Sequence, residues 1–226
     1  MNQLVLPLRL ADHAVFASFY AGGNDALVDA LEALADGRSS HGCWLWGPPA
    51  AGKTHLLQAV CERAGDRAVF VPLALLAEAG PAVLDGLASR DLVCIDDINT
   101  VLSKADWEAE LFALCNQLAD GGGQLVIAAS AAPRESRIRL ADLASRLTRL
   151  PVFRMHALDD EQRIAALQLR ARHRGLELPD ESARYLIKRS RRDMASLYEL
   201  LDKLDLEALR AQRKLTIPFV RDVLQR

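Results

Sequence analysis

The residues Gly47-Pro48-Pro49-Ala50-Ala51-Gly52-Lys53-Thr54 are of the types, and at the spacing, that bind a polyphosphate. Glycines let a backbone curl around phosphate groups with its N–H groups turned inward. Lys53 can reach the outer phosphates, and the Thr54 hydroxyl can face a magnesium ion. An apolar run, Cys43-Trp44-Leu45-Trp46, precedes the stretch and a helical pattern from Thr54 to Cys61 follows it. That is the strand–loop–helix context a phosphate loop requires, with the positive helix end aimed at the ligand. A chance lysine in a plain tight turn is the minor alternative. Downstream, Asp91-Leu92-Val93-Cys94-Ile95-Asp96-Asp97 reads as an apolar strand ending in two carboxylates. Asp96 is expected to hold the magnesium, directly or through water. Asp97 is expected to orient or deprotonate an attacking water. Paired acids at a strand end are as often a solvated turn; the complete phosphate loop upstream tips the balance toward chemistry.

These residues need a scaffold, and the pattern supplies one. Further strands are expected at 67–72, 124–130 and 151–155. Helices are expected from Asn24, as cap, to about Leu34, and from Lys104 to Ala119. Residues 73–90 suggest two short helices split at Gly80-Pro81. Strands alternating with helices predict an α/β fold, a parallel sheet covered on both faces. Ligands on such sheets bind at the carboxyl ends of strands, where this assignment puts Gly47, Asp96 and Ser130. Ser130 could sense a γ-phosphate or a water there, although a serine ending a strand is also ordinary turn chemistry. Phe16, Phe19 and Tyr20 could wall a nucleotide base, with packing as the default for aromatics.

From Leu158 onward the pattern is helical only. Asp159 with Gln162 resembles a capping box, opening a helix to about His173. Pro179 suits the start of the next helix. A third runs from about Asp193 to Gln212 with Leu197, Leu200, Leu201, Leu204 and Leu209 apolar, and Thr216 caps a last one. The domain boundaries expected are an N-terminal peptide at 1–11, an α/β domain at 12–156 and a small all-α domain at 157–226, hinged near His156.

Composition narrows the classes. The net charge is −2, but residues 1–155 carry 13 Lys/Arg against 18 Asp/Glu and residues 156–226 carry 15 against 12. Neither part is basic enough for nucleic acid to be the main partner. No apolar run approaches a membrane span, and no secretory signal is apparent. Cys43, Cys61, Cys94 and Cys115 lack metal-ligand spacing and are expected as reduced core residues of a cytoplasmic protein. Residues 3–8, Gln-Leu-Val-Leu-Pro-Leu, read on composition alone as an edge strand tucked onto the core, or else as a peptide docking extended in another protein's groove.

Together, Gly-Lys-Thr-His-Leu-Leu at 52–57, Ile-Asp-Asp-Ile at 95–98 and Leu-Ala-Ser-Arg-Leu at 143–147 resemble the AAA+ ATPases of the DnaA branch. The similarity covers about residues 12–226. It implies a three-layer P-loop domain followed by a helical lid, ADP or ATP with Mg²⁺ as cofactors, and His55 beside the loop among the nucleotide-binding residues. The lack of a DNA-binding domain after the lid, together with the N-terminal hexapeptide, resembles the Hda family of DnaA homologues. In that family such a peptide docks on the sliding clamp, which implies Gln3, Leu4, Leu6, Pro7 and Leu8 as clamp contacts, with Gln3 in a polar pocket. An arginine of that family reaches the γ-phosphate of DnaA-bound ATP in trans. The matching residue is Arg146; spacing alone does not choose it over Arg134, Arg137, Arg139 or Arg149. DnaA and the clamp are thus the implied partners, and a homodimer stays open.

Two departures from the family stand out. The phosphate loop is intact where Hda proteins often have a degenerate one, so slow hydrolysis in cis stays open. The lid arginine aligns with Ala195, which argues against strong self-hydrolysis unless Arg191 or Arg192 substitutes. The insertion ahead of the acid strand, a single-strand DNA contact in DnaA, has only Arg90 as a cation and should bind phosphate backbone poorly. Two other functions compete with the regulator: a self-standing ATPase such as a helicase loader, and a non-catalytic nucleotide-binding adaptor.

Overall fold

The computed structural model describes residues 14–191, 193–211 and 213–225. The N-terminal peptide assigned to residues 1–11, and with it the proposed clamp contacts, lies outside the described residues.

Period-two alternation builds the sheet. In β1 (Cys43–Trp46), β2 (Ala68–Pro72), β3 (Leu92–Asp96), β4 (Gln124–Ala129) and β5 (Val152–Arg154), neighbouring side chains leave on opposite faces. All pairings are parallel and the order is β2-β3-β4-β1-β5. Cys43, Leu45, Cys94, Val126 and Ala128 face one core with α1 (Asp25–Ala35) and α2 (Lys53–Ala64). Trp44, Val93, Ile95, Ile127 and Ala129 face the other with α4 (Ala105–Gly121) and α5 (Ala141–Leu147). Strands buried on both faces are read as continuous apolar runs, which is how β3 and β4 appear in the sequence.

Residues 73–90 differ from expectation. They form a four-residue helix α3 (Leu73–Leu76) and three single 3₁₀ turns, not two helices. Gly80 and Gly86 sit at positive φ, and Pro81 follows the first, so no run is long enough to propagate an α-helix.

The lid has its own core. Helices α6 (Asp160–His173), α7 (Asp180–Arg189), α8 (Met194–Ala211) and α9 (Ile217–Leu224) bury Ile164, Leu167, Leu186, Leu197, Leu201, Leu204 and Phe219 together. The capping box forms: the Gln162 N–H donates to Asp159 Oδ1 at 2.8 Å and the Asp159 N–H to Gln162 Oε1 at 3.0 Å. Leu209, expected on the apolar stripe of α8, is instead 76% exposed. Thr216 occupies the N-cap position of α9 with no side-chain capping bond.

Asn24 also departs from its expected role. It precedes α1, but its side chain makes no cap. Buried, it donates to the carbonyls of Ala21 at 2.7 Å and His156 at 3.4 Å, and accepts from the His156 N–H at 2.9 Å. The backbone at the junction is therefore tied to the start of α1. Replacing Asn24 with Ala removes the acceptor of the part-buried His156 amide and both bonds that the buried Asn24 side chain donates. A loss of about 1–3 kcal/mol is expected, read from urea unfolding at neutral pH.

Candidate nucleotide-binding site

The phosphate loop leaves β1 at Gly47 and ends at Gly52, the N-cap position of α2. Gly52 has φ +96, and a Cβ there would come 2.8 Å from Phe19 Cε2. Both backbone conformation and close approach therefore demand glycine. Ala50 takes φ 56 without that freedom, at a cost of about 1–2 kcal/mol. The loop closes around the Lys53 ammonium, which donates to the carbonyls of Gly47 and Pro48, each at 2.9 Å. Burial lowers the Lys53 pKa, while the charges of Asp96 and Asp97 oppose that shift. A phosphate oxygen offers this half-buried cation a better partner than two neutral carbonyls.

The acid strand meets the loop directly. Thr54 Oγ1 donates to Asp96 Oδ2 at 2.6 Å, and the Asp97 N–H donates to Asp96 Oδ1 at 3.0 Å. Burial raises the Asp96 pKa, and the Thr54 hydrogen bond works against this. A carboxylate and a hydroxyl at the end of a loop shaped for phosphate suit a hard cation that keeps water and phosphate oxygens as its other ligands. Among the described residues no group of three or more His, Cys, Asp or Glu forms a metal cage. Asp97 sits at φ 52 and heads a 3₁₀ turn, Ile98–Thr100. Ser130 is exposed just past β4, and its N–H donates to Asn99 Oδ1 at 3.2 Å. Asn99 ties the residue after β4 to the turn after the acids. Its only signal in the sequence is a polar residue two positions after Asp97.

The lid closes the other side. Phe19, Tyr20, Asn24, Ala50, Gly52 and His55 meet Leu158, Met194 and Tyr198 around a space of about 30 Å³. That is room for a water or two, so a purine ring requires the lid helices to part. Phe19 lies 5.4 Å from the His55 ring. Since a carbonyl only accepts, His55 Nε2 donates its proton to Val15 O at 3.0 Å. Burial pulls the His55 pKa down to about 4, assisted by Arg170 and His173. His55 is neutral at physiological pH and belongs to the wall of this space, together with Ala50, Ala51 and Gly52 of the loop. Leu158, Met194 and Tyr198 went unnoticed in the sequence because they come from an element far along the chain. Phe16 packs instead in the core beside α2, with the Arg63 guanidinium 5.7 Å from its ring.

Ala195, in the first turn of α8, is exposed, as is Arg191 before it; Arg192 lies outside the described residues. Arg170 is nine-tenths buried in the lid, 4.2 Å above the Tyr198 ring.

Arg146 lies elsewhere. It is exposed on α5, its guanidinium 5.6 Å from the Phe112 ring. It rims a groove of about 420 Å³ floored by Leu118, Leu125 and Leu150 and bordered by Gly42, Gln124 and Pro151. Those last three sit at the amino ends of β1, β4 and β5, one strand length (~13 Å for four residues) from the phosphate loop. Arg134, Arg137, Arg139 and Arg149 are exposed as well, so exposure alone does not single out Arg146.

Residues 160–224 match the family described as Hda, lid domain, and residues 77–150 match the bacterial DnaA ATPase domain. Among solved structures, domain III of the replication initiation protein DnaA from Thermotoga maritima is 21% identical, with a TM-score of 0.77 over 95% of this chain and 97% of that one. AMPPCP-bound DnaA from Aquifex aeolicus is 22% identical, TM-score 0.68, over 89% and 68%. The RuvB Holliday junction branch migration motor of Thermotoga maritima is 19% identical, TM-score 0.65, over 89% and 67%. At these identities the structures establish the fold: an AAA+ α/β domain followed by a helical lid.

Two expectations follow from the site. Lys53→Ala should weaken ADP binding about 10–100-fold, read by calorimetry, since it removes a charge-assisted contact of ~1.5–3 kcal/mol. The second concerns pH. The unfolded chain protonates His55 near its ordinary pKa while the folded chain resists, so stability is present above pH ~6.5 and is lost as pH falls toward about 4. Between pH 7 and 5 the wild type should lose on the order of 2 kcal/mol more than His55→Gln in urea unfolding.

Proposed function

We propose, from the premise that this chain belongs to the DnaA-homologous AAA+ proteins and carries an Hda-type lid, that it stimulates hydrolysis of DnaA-bound ATP while tethered to the DNA-loaded sliding clamp. Initiation of DNA replication is thereby restrained. Residues 3–8 supply the tether, through Gln3, Leu4, Leu6, Pro7 and Leu8. The loop from Gly47 to Thr54 holds ADP or ATP, with Thr54 and Asp96 facing Mg²⁺. Arg146 is carried to the ATP of the neighbouring DnaA.

The observation supporting this most is the separation of the exposed Arg146 from its own phosphate loop. A guanidinium at the amino edge of the sheet cannot serve a nucleotide at the carboxyl edge of the same sheet. It is free for a second polypeptide. In that partner, water adds to the γ-phosphorus as the bond to the bridging oxygen breaks, and negative charge builds on the transferring oxygens. A fixed guanidinium stabilises that charge and contributes about 10³–10⁵ in rate.

A self-standing ATPase is the second reading, favoured by the convergence of Lys53, Thr54, Asp96 and Asp97. Against it stands Ala195, which brings no charge to the phosphates. The segment ahead of the acid strand supports weak DNA contact, because its only cation, Arg90, donates to the Asp66 carbonyl at 2.6 Å. No described helix is long and apolar enough to cross a membrane. The proposed partners put the protein in the cytoplasm.

The test is hydrolysis of DnaA–ATP with this protein, with and without clamp loaded on DNA. Turnover is expected to rise only with the loaded clamp. Arg146→Ala should remove the rise while its ADP binding stays intact, and Gln3→Ala should remove it by lowering clamp affinity. Full stimulation by the Arg146→Ala protein would falsify the assignment. Clamp-independent turnover by the protein alone, lost in Asp97→Asn, would favour the second reading.

A further inference from the structure

We propose that Glu108 is a positioning residue for Arg146: its buried carboxylate fixes the segment that enters α5 and thereby sets where the guanidinium is presented. This rests on the assignment of Arg146 as the residue that acts on DnaA-bound ATP.

Glu108 lies near the start of α4 and is 1% exposed. No salt bridge of Glu108 to Lys, Arg or His is found among the described residues; its charge is satisfied by backbone amides. Oε1 accepts from the N–H of Ser103 at 2.8 Å and of Arg139 at 3.0 Å. Oε2 accepts from Arg139 at 3.0 Å and from Leu140 at 2.7 Å. A parallel tie runs from Ser103 Oγ to the Arg137 carbonyl at 2.6 Å. Burial pushes the Glu108 pKa up, but the amides of Arg139, Leu140 and Ser103 outweigh it and hold the group ionised.

The position of these bonds gives them leverage. Leu140 is the N-cap position of α5, and Arg146 follows six residues later, about 9 Å along the helix at 1.5 Å per residue. A tilt at the pinned end is carried along that length to the guanidinium. Misplacement of a catalytic group by ~1 Å can lower a rate on the order of 10²-fold. The other end of the tie also matters. Ser103 closes the turn that begins at Asp97, so one carboxylate joins the segment after the acid strand to the segment before α5. A glutamine fits the space but turns two N–H groups toward amides that need an acceptor. An aspartate keeps the charge and falls one methylene short.

The experiment measures clamp-dependent DnaA–ATP hydrolysis at saturating full-length protein, for the wild type, Glu108→Gln, Glu108→Asp and Arg146→Ala. ADP affinity serves as the fold control. Glu108→Gln is expected to bind ADP within about twofold of the wild type while maximal stimulation falls about 100-fold and half-saturation barely moves. Glu108→Asp should recover part of the loss. Amide exchange at Arg139 and Leu140 should accelerate in the glutamine variant. Wild-type stimulation by a Glu108→Gln protein with normal ADP affinity overturns the proposal. If the glutamine variant does not fold, Glu108→Asp decides: fast exchange at Arg139 and Leu140 with undiminished maximal stimulation overturns it equally. Undiminished stimulation by Arg146→Ala is a different result; it removes the functional assignment and this proposal with it.

Discussion

The 2.6 Å hydrogen bond from Thr54 to Asp96 is the constraint around which the rest of the structure is arranged. Asp96 ends β3 and is buried, so its carboxylate must find partners. Thr54 belongs to the helix that follows β1, and in this sheet β4 lies between β1 and β3. To make the bond, the phosphate loop must pass over the carboxyl end of β4. That crossing sets the start of α2, requires a left-handed residue at Gly52 and leaves the Lys53 ammonium enclosed by the loop carbonyls. The same crossing brings Ser130, just past β4, beside the turn that follows Asp97. Under the function proposed above, Thr54 and Asp96 would be the residues to hold a magnesium ion.

How much of this is legible in the sequence depends on the range of the interaction concerned. The phosphate loop is written in consecutive residues because one stretch of backbone makes the whole cradle. The strands are legible because alternate residues such as Val93 and Cys94 serve two different cores and must both be apolar. The Asp159–Gln162 capping box is legible because its two bonds span three residues. What stayed hidden is non-local. Asn24 looks like a helix cap and is one in position, but its side chain is taken by His156, 132 residues away. Nothing in the sequence marks Glu108, and only the fold brings to it the amides of Arg139 and Leu140, 31 and 32 residues away. Leu209 lies outside because the buried stripe of α8 runs through Leu197, Leu201, Leu204 and Ala208, and Leu209 falls one residue past it, on the solvent side. The 3₁₀ turns after α3 read as helix in the sequence because apolar periodicity over four residues does not distinguish a turn from a helix.

The lid adds a second layer of constraint. Arg170 is almost wholly buried yet keeps its charge near the face of Tyr198, while Arg174 reaches Asp202 at 2.5 Å. Their Nε atoms find no partner among the described residues. Buried guanidinium groups stacked on an aromatic ring and paired at one edge are orientation-dependent contacts. Tyr198 also lines the space beside Gly52 and His55. Movement of α8 to admit a base therefore disturbs the stack on Arg170. Tyr198 thus links the space beside the loop to the packing of Arg170 inside the lid.

The sheet topology then decides what this machinery can do. In a parallel sheet every strand end that binds phosphate lies on one edge, and every segment that feeds the strands lies on the other. α5 leads into the amino end of β5, so any cation near its end is directed away from the phosphate loop of its own chain. The aromatic contact with Phe112 holds Arg146 on the surface without neutralising it, and the chain supplies no cation at Ala195 to complete its own site from the lid. The proposed nucleotide site has a loop, the hydrogen-bonded pair Thr54 and Asp96, and in Asp97 a candidate water-orienting acid. At Ala195 the lid offers no positive charge to a transferring phosphoryl group. Arg146 sits at the opposite edge of the sheet, exposed. Under the function proposed above, such a division would place the complete catalytic arrangement between two polypeptides, with this chain contributing Arg146 and the partner contributing the triphosphate.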